Sequence, residues 1–583
     1  MKKVSENNIH KRSRAATFQM KAALLRVKRG IENALGEKIR RAEFSGRLAN
    51  ERIIAESKTP LWTEAAPEEH FLLVGKVQNL RIAARRLNGL EIRAGQTFSF
   101  WKNVGRASRM KGFEVGRELR EGCIIPNVGG GLCQISNALY DAALKAGFEI
   151  VERHAHSQIV AGSLAEQGRD ATVFWNYIDL RFRSDRDFRI ETKLGKDHLS
   201  VTFKSSANIE LPKSKPGRVL FSTANGKQPN SCAACGVESC FRSIKKPEIE
   251  TVVKTAFLVD EFSPEFDKLI TETRRSSDIL LFPLDGKRFG KPNYAWNTGG
   301  FTRRKQAFFS TIKRSYSSRK LSAQGASRQN NLLEMSQKLA EFYAKHVPSD
   351  VLHLVVSQNL LPFLWENGAL GGRTFDVLMN SMPMRRIQKT LDLAFDLHPE
   401  SKTLGDFRAD ARLVEAESQA LENASRIFTA HTGIAADFPG KATVLPWKIP
   451  CAANLSKVRS DKFTIVFPSS TVGRKGCYEL REAIRGLDVE LIVLGAEIEE
   501  LDFWKGFAKR SNCENWLEQA DLVVLPAFVE HKPRRLLLAS ANRIPVIATK
   551  NCGLEGVEGV TIIDIGDKNS LRLAIESNLK MRI

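Results

Sequence analysis

The sequence predicts an α/β protein of several domains, on three observations. A glycine-rich loop runs directly into a segment with helical apolar spacing and then a strand-like run between residues 129 and 160. From about Glu248 onward, short apolar runs alternate with longer helical segments, the pattern of parallel α/β architecture. At 583 residues with 42% hydrophobic content, the chain is long enough for roughly three or four domains with sizeable cores.

Residues 1–60 read as a basic, helical arm. Met20, Ala23, Leu24, Val27, Ile31 and Leu35 keep near-helical spacing while Lys21, Arg26, Lys28 and Arg29 lie around them, a pattern suited to an interfacial helix on an anionic membrane. No apolar stretch of roughly 7–15 residues with a small-residue cleavage site follows the basic start, so a secretory signal is not expected. No run approaches the ~20 apolar residues needed to span a bilayer. The expected location is cytoplasmic, peripheral on the inner membrane face.

The domain at 61–210 carries the most informative segment, Gly129-Gly130-Gly131-Leu132-Cys133-Gln134-Ile135-Ser136. Leu132, Ile135, Leu139, Ala142, Ala143 and Ala146 form one helical stripe, and Gly147 follows where a left-handed cap is expected. Cys133 then lies in the first helical turn, where unpaired N–H groups and the helix dipole favour a thiolate. Gly130 and Gly131 let the backbone approach a substrate and aim N–H groups at a developing oxyanion. The run Glu149 to Val160 reads as a strand, with His154 and His156 on one face and Glu152 beside them. A cysteine at a helix start with a histidine on an adjoining strand suits thiol acyl transfer, with His154 or His156 as base.

From about Asn79 to Ser184 the chain resembles the VanW family. The resemblance rests on Gly95 to Phe100, Val104-Gly105-Arg106, Gly129 to Ser136, Arg153 to Ser157, and Gly168-Arg169-Asp170-Ala171-Thr172-Val173. It implies a role at the bacterial cell wall and, for Cys133 and its histidine, an L,D-transpeptidase-like acyl transfer on a peptidoglycan precursor. Gln134, Arg169 and Asp170 are then the candidate substrate-contacting and orienting residues.

Residues 211–248 have the turn-rich composition of a connector and contain Cys232, Cys235 and Cys240. Three thiols at this spacing suit zinc or an iron–sulfur cluster, with the fourth ligand open. The other six of the nine cysteines are scattered, so no disulfide framework is expected. The formal charge of +23 implies anionic partners, but no nucleic-acid module accompanies it and no specific nucleic acid is expected.

Two Rossmann-like domains, 249–445 and 446–583, complete the chain. Strands are expected at 252–258, 278–282, 351–356, 427–429, 463–467, 491–494, 522–525 and 546–548. The latter half resembles GT-B glycosyltransferases through Gly473-Arg474-Lys475-Gly476, Glu479 to Ile484, Ala520 to Pro526 and Ile544 to Thr549. The resemblance implies a UDP- or GDP-sugar donor, with Arg474 and Lys475 neutralising its diphosphate and Glu530 contacting the donor. The family commonly has a second glutamate after a seven-residue gap, where this chain has Leu538. Two readings follow: a bifunctional envelope enzyme, or a scaffold that binds glycans or partners without turnover.

Overall fold

The computed structural model describes residues 12–35, 39–63, 67–120, 122–156, 163–206, 230–232, 235, 240, 253–319, 325–453, 456, 461–511 and 513–582. The chain divides into two compact units, Met1–Lys254 with Val347–Leu352 and Asn367–Thr374, and Thr255–His346 with His353–Glu366 and Phe375–Ile583.

The first unit is built on a five-stranded sheet. Its spatial order is β1 (Glu43–Phe44), β3 (Leu90–Ile92), β9 (Phe188–Leu194), β10 (His198–Lys204) and β2 (Ile53–Pro60). The pairs are antiparallel, with Leu199 opposite Leu194 and Val201 opposite Ser57. On β10, Leu199, Val201 and Phe203 are buried while His198, Ser200 and Thr202 are not, the alternation of a sheet with one face on the core. Residues 53–60, expected inside the helical arm, are therefore a strand of this domain: Ala55, Ser57 and Thr59 alternate inward along them. Helix α1 (Arg12–Leu35) buries Ala22 and leaves Met20, Leu24, Val27, Ile31 and Leu35 exposed. No helix among the described residues is long and apolar enough to cross a membrane.

Helix α2 (His70–Leu87) and α4 (Cys133–Lys145) pack on the sheet; the short α3 (Phe100–Val104) joins them in one core with Phe98, Phe182, Phe188 and Phe203. Fully burying one such side chain is worth about 1.5–3 kcal/mol, so the phenylalanine cluster holds the sheet and helices together. The α4 stripe of Ile135, Leu139, Ala142 and Ala143 is wholly buried. Gly147 ends the helix at φ 72°, and the Phe148 N–H donates to the Ala143 carbonyl. Two three-stranded sheets flank this core. One contains β5 (Val115–Arg120) and β6 (Cys123–Val128) in antiparallel pairing, and the other orders β4 (Thr97–Ser99), β8 (Arg181–Arg183) and β7 (Glu149–Glu152).

The second unit has two sheets. One orders Arg303–Gln306, Ile279–Phe282, Lys254–Leu258, Val351–Ser357, Thr374–Leu378, Arg426–Thr429 and Ala442–Val444. The other orders Ala508–Ser511, Val489–Val493, Phe463–Phe467, Leu522–Leu525, Val546–Thr549 and Val560–Ile563, with every neighbouring pair parallel. All eight expected strands are present, within two residues at each end. Arg303–Gln306 is an edge strand whose Arg303, Arg304 and Lys305 are exposed, which discourages further pairing.

Candidate functional site

In the first unit, Cys133 is the first residue of α4. The strand expected through Val160 ends at Glu152; His154 and His156 lie in irregular chain beyond it, and residues 157–160 fall outside the described residues. The period-two rule therefore does not govern the two histidines. The Thr172 N–H donates to the His154 carbonyl at 2.8 Å, laying the segments 154–156 and 170–172 side by side. Asp170, buried, then accepts the His156 backbone N–H at 2.5 Å and lies 2.7 Å from His156 Nδ1. Asn137, one turn into α4, accepts the Ala171 N–H and ties this loop to the helix that carries the cysteine. Cys133 Sγ lies 3.6 Å from Thr172 Oγ1 and 3.9 Å from the Val173 carbonyl.

The electrostatics join cysteine and histidine. Burial works to raise the Cys133 thiol, but the charge and hydrogen bond of His156 overcome it and the net shift is downward. Burial likewise works to lower His156, yet the Cys133 thiolate and then Asp170 raise the imidazole to about 10. With Nδ1 held by Asp170, Nε2 is left for the thiol. His154 is excluded from this chain: its ring is half-exposed and points to Glu152, 3.4 Å away.

The glycine loop has a structural task first. A Cβ on Gly130 would lie 2.4 Å from the Gly116 carbonyl oxygen, and one on Gly131 would lie 2.2 Å from Lys76 Cγ. Asn79 of α2, fully buried, donates to the Gly130 carbonyl at 2.9 Å and pins the loop to β5 through Glu114. The Gly129 and Gly130 N–H groups are consumed by the Glu114 and Asn127 carbonyls. Those of Gly131, Leu132 and Cys133 take no acceptor among the described residues, which leaves donors beside the sulfur. Gln134 donates to Thr59 Oγ1 and the Pro60 carbonyl, so its amide fixes β2 to the site. Arg169 turns away to Asp141, 3.4 Å distant. Cys133, His156, Asn137 and the loop line a cavity of about 690 Å³.

The three cysteines expected to hold a metal are not gathered into one group among the described residues. Cys232 is buried with Cys123 and Ile125 in a small apolar cluster, the environment of a packed thiol. Among the described residues no group of three or more His, Cys, Asp or Glu side chains is placed to hold a metal ion. Cys235 and Cys240 join no such group.

In the second unit, the sheet carrying Phe463–Phe467 reverses its direction of winding at that strand: the chain first moves outward to 489–493, then returns on the other side at 522–525. Ligands of open parallel sheets bind beyond the carboxyl ends of strands at such a switch point. The turn Gly473–Lys475 follows one flanking strand and Glu530 follows the other. Lys475 donates to Glu530 Oε2 at 2.8 Å and to the Val529 carbonyl. Burial would raise Glu530, but Lys475 reverses this and holds the carboxyl at about 2. Arg474 is desolvated there, which works to lower its guanidinium. His531, which the sequence reading missed, is pushed by burial to about 3, and Ser381 Oγ lies 3.2 Å from its Nε2. Leu538 packs partly buried against the core of this sheet. The Gly473 N–H is taken by Glu499 at 2.5 Å. That donor is therefore not open to a phosphate, and cationic side chains are what the turn offers.

Comparison with known proteins agrees with the first-unit motif. The family model described as VanW like protein matches residues 75–204. The vancomycin B-type resistance protein VanW of Enterococcus faecalis is 33% identical over 157 residues, 26% of this chain and 54% of that protein. YoaR of Bacillus subtilis is 32% identical over 148 residues, 24% of this chain and 48% of YoaR. The chain spans about half the length of these curated relatives. Among solved structures, sucrose-phosphate synthase from Thermosynechococcus elongatus matches at TM-score 0.37 and 15% identity, covering 56% of this chain and 90% of that one. Anabaena HepE in complex with UDP and glucose matches at TM-score 0.32 and 14% identity, with the same coverage. Residues 75–204 form a VanW-like domain within a longer chain.

Proposed function

We propose that the VanW-like domain is a thiol acyl-transfer centre of bacterial envelope metabolism, with Cys133 as nucleophile, His156 as proton carrier and Asp170 as its orienter. The observation that carries this reading is the Cys133–His156–Asp170 chain on a cavity wall. The thiolate attacks an acyl carbonyl, forming the C–S bond, while the free N–H groups of Gly131, Leu132 and Cys133 receive the negative oxygen. His156 Nε2 then gives its proton to the leaving amine as the C–N bond breaks, and an incoming amine or water releases the acyl group from sulfur. The envelope assignment draws on the name of the Enterococcus relative, a vancomycin resistance protein. Cys133→Ser is expected to lose covalent labelling at this position by an electrophilic acyl probe, read by peptide mapping; equal labelling of both proteins would refute the nucleophile.

The second unit supports a nucleotide-sugar module at its switch point, with Arg474 and Lys475 facing the diphosphate and Glu530 the sugar. The carrying observation is that the Lys475–Glu530 pair joins the two strands that flank the reversal. A UDP- or GDP-sugar is expected to raise the unfolding temperature of the protein, and Lys475→Met to remove that rise. The absence of any rise with either donor at millimolar concentration would favour the glycan- or partner-binding scaffold, to which Leu538 in place of a carboxylate points.

A further inference from the structure

We propose that the cavity before Cys133 admits acyl compounds bearing a free carboxylate, which Lys76 of α2 anchors with Arg106. The proposal rests on the reading of Cys133 as nucleophile for its reaction, and on the cavity alone for its ligand. Lys76 is 6% exposed, lines the cavity, and has no hydrogen bond or ion pair to any described residue. Its stem lies against Gly131, two residues before the cysteine. An ammonium taken from water without a partner costs folding free energy that an apolar side chain of equal length would not. A bound anion removes that cost.

The surroundings point the same way. Among the described lining residues six are Lys or Arg and one is an acid, Glu118, which is taken up by Arg120 and Asn127. Arg117 beside Lys76 is paired with Glu69 at 3.2 Å, so it adds positive potential without offering a free fork. Arg106 is exposed, lines the same cavity and has no partner among the described residues. Burial first, and then the Arg117 charge, bring the Lys76 amine down to about 7, the behaviour of a cation that lacks its counter-ion.

The test uses the full chain carrying Cys133→Ala, so that it is independent of the nucleophile. At pH 6, N-acetylalanine is expected to raise the unfolding temperature, whereas its uncharged amide is not. Adding Lys76→Met, which keeps the stem against Gly131, should abolish the rise. Equal effects of acid and amide, no rise at tens of millimolar, or a rise that survives Lys76→Met would each overturn the carboxylate anchor. Failure of Cys133 to label in the unsubstituted protein would instead refute the nucleophile and leave this result standing.

Discussion

His156→Ala is expected to lower the rate of Cys133 alkylation at pH 7 by roughly tenfold or more, because alkylation follows the thiolate fraction and a thiol that titrates near about 8.5 is only a few per cent thiolate there. The direction follows from the two influences on the thiol. In the intact protein burial raises its pKa and His156 more than compensates, so the net shift is downward. Without His156, burial is opposed only by the contacts of Val173 and Thr172, and the pH at which thiolate forms moves up. A pH profile of alkylation therefore rises at lower pH in the wild type than in the variant. The intact profile of any acyl transfer should fall again as pH passes about 10, where the imidazolium loses its proton and the leaving amine loses its acid. Asp170→Asn tests the third member. It retains the shape of the side chain but removes the charge that helps hold His156 protonated, so the upper limb should move to lower pH. His154→Ala should leave both limbs in place, since its ring faces Glu152. Identical profiles for wild type and His156→Ala would refute the pairing.

Why the sequence read one half of this site and not the other is a matter of range. The helix start at Cys133 and its end at Gly147 are local: apolar spacing and a left-handed cap are written within fifteen residues. The choice between His154 and His156 is not local. It is made by a hydrogen bond from Thr172 to His154, by Asp170, and by an early end to the strand, none of which periodicity can report. Asn79 and Lys76 were equally hidden, since α2 carries them as ordinary polar positions and only tertiary packing turns them toward the glycine loop and the cavity. The glycines themselves misled in part: Gly130 and Gly131 are required by neighbouring backbone and by the Lys76 stem before any substrate arrives.

The same distinction holds for the fold. Buried parallel strands such as Phe463–Phe467 and Leu522–Leu525 are continuous apolar runs and were legible as such. Arg303–Gln306 and Ala508–Ser511 are polar edge strands that gain their place from a neighbour's backbone, and no apolar pattern marks them. In the cysteine cluster, spacing suggested convergence on a metal, but Cys232 is drawn instead into a packed contact with Cys123, more than a hundred residues away.

Glu499→Ala is expected to destabilise the second unit by about 3–5 kcal/mol, the cost of taking one buried acceptor away from several donors at once. Glu499 is 1% exposed, and its carboxyl accepts from Ser401 Oγ at 2.9 Å, Lys402 N at 3.0 Å, Gly473 N at 2.5 Å and Tyr478 Oη at 3.2 Å, as well as from Thr403 Oγ1. Truncation takes this acceptor away from all five in a space that water must then enter, and each buried donor left orphaned costs about 1–3 kcal/mol. The five do not add in full, because the hydroxyls can turn to other partners and the Gly473 N–H also reaches Thr403 Oγ1 at 3.1 Å. Glu499→Gln, which keeps the volume but turns one oxygen into a donor facing other donors, should cost less, about 2 kcal/mol. The midpoint of chemical unfolding checks both values, and a change below 1 kcal/mol for the alanine variant would show that the network carries no weight. A functional consequence follows from geometry. Glu499 is the group that fixes the turn bearing Arg474 and Lys475, so the glutamine variant, folded but with a loosened Gly473, should weaken the sugar-nucleotide protection while Lys475 itself remains in place.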